Sequence, residues 1–197
     1  MHIGRYRRLI SIVTLLTLFA GHGAVAAQTS ATPGASPVAS PVASPVAARE
    51  PTGPADLDVL FIGAHPDDEA GRLSTYGQWN ENHNARVGVI TITRGEGGGN
   101  AAGTEEGPAL GLLREAEERR AVGLAGIERI YNLDKVDYYY TVSAPLTEDV
   151  WGYESTLERV VRIVRETTPE VVVTMNPSPT PGNHGHHQMA ARLAIAA

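Results

Sequence analysis

Beyond residue 55 the chain alternates between two patterns of apolar positions. Short continuous apolar runs bounded by turn residues occur at Asp58–Gly63 and Arg86–Thr93, and again around Arg129–Leu133 and at Glu170–Met175. Such runs predict strands buried on both faces of a parallel sheet. Between them lie longer, mixed stretches that predict helices at about Glu69–Asn82, Pro108–Leu124 and from Thr147 onward, with a last one from His184 to Ala197. In the third of these, Val150, Glu154, Leu157, Val160, Val161 and Val164 keep close to a 3.6-residue period, and Pro169 stops it. Thr147, Glu148 and Asp149 supply a side-chain oxygen and negative charge at its start. Strand and helix alternate four times, which predicts an α/β fold with a doubly wound, mostly parallel sheet. In that architecture sites form in the loops beyond the carboxyl ends of the strands.

Upstream the pattern is different. Arg5, Arg7 and Arg8 precede an apolar run from Leu9 to Ala20, and Ala24-Val25-Ala26 follows with small residues where a signal peptidase cuts. Residues 1–26 therefore predict a secretory signal peptide and an extracytoplasmic or secreted location. The run is short of the roughly 20 residues a spanning helix needs, and an uncleaved anchor is the alternative. Residues 27–55 predict a disordered tether, because Ala-Ser-Pro-Val repeats at 35–38, 39–42 and 43–46 and the regular prolines forbid helix and strand. The domain is expected over 56–197, long enough to bury a core.

Composition narrows the chemistry. There is no cysteine, so no disulfide framework is possible and any metal must be held by nitrogen and oxygen ligands. The net charge of −6 falls by three more if the segment carrying Arg5, Arg7 and Arg8 is removed. That balance argues against nucleic acid and against an anionic membrane surface as partners.

Two stretches carry the candidate site. Ala64-His65-Pro66-Asp67-Asp68-Glu69 crowds an imidazole and three carboxylates at a strand end, a costly arrangement unless a cation sits among them or one acid stays protonated. Asn183-His184-Gly185-His186-His187-Gln188 places three of the seven histidines within four residues at another strand end. His65, Asp68 and His187 would form a two-imidazole, one-carboxylate set that fits zinc with a position left for water, whose pKa falls toward about 7 on such an ion. Asp67 would then be free to take that water's proton. Spacing alone does not decide which of His184, His186 and His187 is the ligand. Simpler explanations are a helix cap for the first stretch and solvated surface for the second. Arg94-Gly-Glu-Gly-Gly-Gly-Asn100 lacks the Gly-Lys-Ser/Thr of a phosphate loop and breaks the dinucleotide spacing at Asn100, so it is read as a close-approach loop presenting Arg94 and Glu96 to a polar substrate. Tyr138, Tyr139 and Tyr140 are read as core or rim, and Arg114, Glu115, Glu117, Glu118, Arg119 and Arg120 as the solvated face of a helix.

These residues together resemble the PIG-L/LmbE-like de-N-acetylase superfamily over about Asp56–Ala197. The likeness rests on Ala64-His-Pro-Asp-Asp-Glu69, Thr93-Arg-Gly-Glu-Gly97, Leu113-Arg-Glu-Ala-Glu117 and Asn183-His-Gly-His-His-Gln188. It implies a Rossmann-like fold, a mononuclear zinc site in which another divalent ion such as Fe²⁺ could serve, and hydrolysis of an N-acetyl group from an N-acetylglucosamine-type conjugate. By the same resemblance His65, Asp68 and His187 look like the metal ligands and Asp67 like the general base. His184 looks like the histidine that stabilises the oxyanion and protonates the leaving amine, and Arg94 like a substrate-contacting arginine. Gly185 and His186 depart from the family's usual His-Pro-Asp-His. The chain ends ten residues after His187, where the family's domain normally continues, so a C-terminally partial domain is expected. A glycan- or wall-binding module that keeps the metal site, and a hydrolase of another amide or ester, are the other functions this pattern allows.

Overall fold

The computed structural model describes residues 56–138 and 140–197. The signal-peptide and tether segments, and Tyr139, lie outside the described residues. Four strands, β1 (Val59–Gly63), β2 (Val87–Thr93), β3 (Arg129–Lys135) and β4 (Val171–Thr174), form one sheet in the order β3-β2-β1-β4. Every pairing is parallel, with Val59 opposite both Val87 and Val171. The helices are α1 (Leu73–His83, entered by a 3-10 turn at Ala70–Arg72), α2 (Gly107–Leu124), α3 (Ala144–Trp151), α4 (Tyr153–Thr167) and α5 (Gly185–Ala196). No described helix is long and apolar enough to cross a membrane.

Alternation along β1 divides the core. Leu60 and Ile62 join Ile90, Ile92, Trp151, Val160, Met189 and Leu193, drawn largely from α3, α4 and α5. Val59 and Phe61 join Tyr76, Val89, Val122 and Ile127 beside α1 and α2. Helices thus cover both faces, and the expected doubly wound, Rossmann-like α/β fold is what the chain forms. From β1 the sheet grows to β2 and β3 on one side and returns to β4 on the other. The reversal makes a crevice between the carboxyl ends of β1 and β4, where ligands sit in such sheets.

Three local expectations differ from the structure. The helix expected from Thr147 is two: α3 begins at Ala144 with Pro145 in its first turn, and Gly152 (φ 69°) breaks it from α4. Thr147 is fully buried inside α3 and is hydrogen-bonded to the Tyr138 hydroxyl at 2.8 Å. The run at 170–175 is not buried on both faces. Among the described residues β4 pairs only with β1, and Val171 and Val172 remain 52% and 39% exposed. Finally, α2 does not present all its charges to water, since Glu118 is buried and bonded to the Thr91 hydroxyl of β2.

Candidate active site

The exit from β1 is fixed before its chemistry begins. Thr93 at the end of β2 donates its hydroxyl to the Ala64 carbonyl (2.9 Å), and Thr174 of β4 donates to that of Ile62 (2.8 Å). Asp68 turns back on the loop, with Oδ2 accepting the Ala64 and His65 amides at 2.6 and 3.0 Å. Its other oxygen, Oδ1, lies 3.1 Å from His187 Nε2, and Oδ2 is 3.7 Å from His65 Nδ1. Asp68 does bind backbone amides, as the capping explanation supposes, but they precede it in the chain.

The second cluster comes in at the start of α5. Its first amide, Gly185 N, donates to the Thr141 carbonyl at 2.7 Å, and a Cβ at Gly185 would collide with the Ser143 carbonyl. Only glycine permits that approach, and it brings His184 before it and His186 and His187 after it to the β1 exit. His65 has ring-centroid distances of 5.1, 5.3 and 5.0 Å to His184, His186 and His187. The histidines are not a solvated surface group: His186 is 1% exposed, stacked on Trp151 and edge-on to Tyr138.

Two sets of potential ligand atoms each converge within 4.8 Å: His65, Asp68 and His187, and His65, His184 and His186. The first, with its carboxylate, matches the two-imidazole, one-carboxylate chemistry of a zinc site that keeps a position open. Both sets border a cavity of about 630 Å³ that also reaches Asp67, Arg114 and Tyr140.

Electrostatics follow from this crowding. Burial opposes charge on His65, but hydrogen bonds and charge from Asp137 and Asp68 outweigh it and hold its pKa up to about 9. Burial would raise the Asp68 carboxyl, yet His187 and His65 hold it well below the usual carboxylate range. Partial desolvation by its surroundings raises Asp67, whose side chain is still 66% exposed, against the opposing Arg114 guanidinium, 3.1 Å away. His184 is pushed down to about 4 by burial and by the neighbouring histidines, and its Nδ1 is buried without a hydrogen-bond partner among the described residues.

The structure therefore gathers His65, Asp67, Asp68, His184 and His187 at one cavity. Arg94 is placed apart from them, its guanidinium held 2.7 Å from Glu115 and 2.9 Å from Asp134, and Glu96 accepts the amides of Arg94 and Asp137. The guanidinium at the cavity is that of Arg114, which also donates to the Gly95 and Pro66 carbonyls. Sequence reasoning missed Arg114 and Asp137. The latter is buried, with Oδ1 3.1 Å from His186 Nδ1 and 3.6 Å from His65 Nε2. Arg114 sits in a helix dense with charge, and Asp137 in a loop with no motif. Nothing local in the sequence marks Asp137; its place is fixed in the fold by Gly97, whose Cβ would lie 2.6 Å from the Asp137 carbonyl, where the two loops touch.

A four-stranded parallel α/β sheet with a histidine-carboxylate centre at its switch point defines the class. Comparison gives the family: residues 60–197 match the PIG-L family, described as GlcNAc-PI de-N-acetylase, and the chain belongs to it. Over 140 residues it is 29% identical to the diacetylchitobiose deacetylase of Thermococcus kodakarensis, covering 71% of this chain and 48% of that protein. Over 162 residues it is 32% identical to the 1D-myo-inositol 2-acetamido-2-deoxy-alpha-D-glucopyranoside deacetylase of Saccharomonospora viridis, covering 71% and 57%. The solved N,N'-diacetylchitobiose deacetylase from Pyrococcus horikoshii, complexed with an inhibitor, superposes with a TM-score of 0.59 at 26% identity, over 72% of this chain and 49% of that one. The chain spans about half the length of the curated relatives it matches.

Proposed function

We propose that the chain carries the catalytic centre of a metal-dependent hydrolase that removes the N-acetyl group from an N-acetylglucosamine-type conjugate, outside the cytoplasmic membrane. The observation that carries this reading is the convergence of His65, Asp68 and His187 within 4.8 Å beneath a cavity that Asp67 and His184 also border. Membership of the family and the names of the relatives support the choice of bond. The export pattern of residues 1–26 supports the location.

His65, Asp68 and His187 would hold a divalent ion, zinc or Fe²⁺, which supplies Lewis acidity and makes hydroxide available near neutral pH. Asp67, raised by partial desolvation and oriented by Arg114, takes the proton of the attacking water. As the water oxygen bonds to the acetamide carbon, negative charge gathers on the carbonyl oxygen. His184 is neutral at pH 7 and offers an N–H to that oxygen without a desolvated charge of its own. The C–N bond then breaks, and the amine nitrogen takes up the proton accepted from water, passed on through Asp67 or His184.

The test is acetate release from a panel of N-acetylglucosamine conjugates by the folded chain, with zinc and with a chelator. Chelator-sensitive release is expected. A folded chain holding about one ion that releases no acetate from any conjugate would refute the reading.

A further inference from the structure

Once His65, Asp68 and His187 are given to an ion, one buried pair is left without a role. Asp137 and His186 lie on the far side of the His65 ring from Asp68. Nδ1 of His65 faces Asp68 Oδ2 at 3.7 Å, while Nε2 faces His186 Nδ1 at 3.2 Å and Asp137 Oδ1 at 3.6 Å. His186 Nδ1 in turn lies 3.1 Å from the same Asp137 oxygen. The contact between His65 Nε2 and His186 Nδ1 is a hydrogen bond whose donor depends on the tautomer, and when Nδ1 of His65 is the ligand atom the proton sits on Nε2, on the side that faces His186 and the Asp137 carboxylate. The imidazole of His65 then presents its Nδ1 lone pair toward Asp68.

The support behind this carboxylate is extensive. Asp137 Oδ2 accepts the Gly97 amide at 3.1 Å, and its own amide donates to Glu96 Oε1 at 2.9 Å. His186 is packed between Trp151 (5.2 Å, 20° between planes) and Tyr138 (4.5 Å, edge-on), and Trp151 is itself anchored by a 2.9 Å bond to the Val136 carbonyl. Three elements thus hold one carboxylate against one side of His65.

We propose that Asp137, with His186 packed beside it, is the positioning residue for His65: it keeps the proton on Nε2 and turns Nδ1 toward the ion. Metal-ligating histidines usually donate their second N–H to a carboxylate or carbonyl, and this fixes both ring orientation and basicity. In this chain the carboxylate comes from the loop after β3, next to a histidine where the family's usual pattern has aspartate. The inference rests on the metal reading above, but its test contains no substrate.

The zinc-loaded full chain, with ¹⁵N-labelled histidine, is examined for its ring nitrogens, the His65 signals being those lost in His65→Gln. The expected result is zinc on Nδ1 and a retained, slowly exchanging proton on Nε2. In Asp137→Asn that proton exchanges faster and zinc affinity, read by competition with a chromophoric chelator, falls by about 10–100-fold. Zinc on Nε2 in the unsubstituted chain overturns the proposal whatever the variant does. So does a variant whose affinity is unchanged, or one that loses affinity while the His65 signals stay as they were, which would make Asp137 merely structural. A chain that binds no zinc overturns this proposal and the metal reading together; zinc binding without acetate release overturns only the deacetylase reading.

Discussion

Glu118→Gln should make the protein more stable above neutral pH, although it removes a charge from a helix rich in ion pairs. Glu118 is 4% exposed, bonded through one oxygen to the Thr91 hydroxyl, with Oε2 unpartnered among the described residues. Burial is the largest cause of its raised pKa, from an ordinary 4.5 to about 7, and the nearby Glu69 and Glu115 carboxylates add to it against Thr91 and Arg119. That rise corresponds to about 3 kcal/mol of penalty for ionising the buried group. In the unfolded chain Glu118 ionises near 4.5 and in the folded chain near 7, so between these values the folded state keeps a proton that unfolding releases. Stability from this group therefore falls as pH rises from about 4.5 to 7 and is level above that. Glutamine has nearly the same shape, can still bond Thr91, and has no charge to desolvate. The variant should gain about 3 kcal/mol at pH 8 and under about 1 kcal/mol at pH 5, measured by urea unfolding of the ion-free protein at both values. His65, whose raised pKa also makes stability pH-dependent, is common to both proteins and cancels in the difference. A variant no more stable than the parent at pH 8, or equally stabilised at both pH values, would refute the reasoning.

Other consequences are as direct. Asp67→Asn should retain the ion but lose about 10²–10⁴-fold in kcat, because it removes a base and no ligand; loss of the ion from this variant, measured by metal analysis, would reverse the roles of Asp67 and Asp68. His187→Ala should leave less than one tightly held ion per chain while the far-ultraviolet spectrum stays native. Trp151→Ala, which empties a nearly fully buried site against His186 and the α3–α5 core, should cost about 3–5 kcal/mol in chemical unfolding. Gly97→Ala should lower zinc affinity without touching a ligand, since its Cβ would sit 2.6 Å from the Asp137 carbonyl and push that loop from His65; an unchanged affinity would show that the loops can part freely.

What could be read from sequence follows the physics of each signal. The strands β1 and β2 declare themselves because both faces are covered and every position is apolar or small. The same logic over-reads β4, where Val171-Val172-Val173 looks like a central strand but pairs on one side only among the described residues. The stretch from His65 to Glu69 stood out because crowded carboxylates are costly without a cation, and that cost is local in sequence, whereas His187 was singled out among the three histidines only by the family resemblance. Asp137 was invisible because its partners, His65, His186 and Gly97, are far from it along the chain. Glu118 was misread because five neighbouring charges suggested water, yet the warning was present in Thr91, a hydroxyl in a fully buried strand that needs a partner. The split between α3 and α4 was likewise written in Gly152, which the apolar period of the helix obscured.

The account stands most directly on one titration. The chain is stripped with a chelator, and zinc is then added stepwise while acetate release from a responsive N-acetylglucosamine conjugate is followed. The account predicts no release from the stripped chain, a linear rise, and a break at about one ion per chain that Asp68→Ala abolishes. Release that is indifferent to the chelator, or that Asp68→Ala leaves intact, would contradict it.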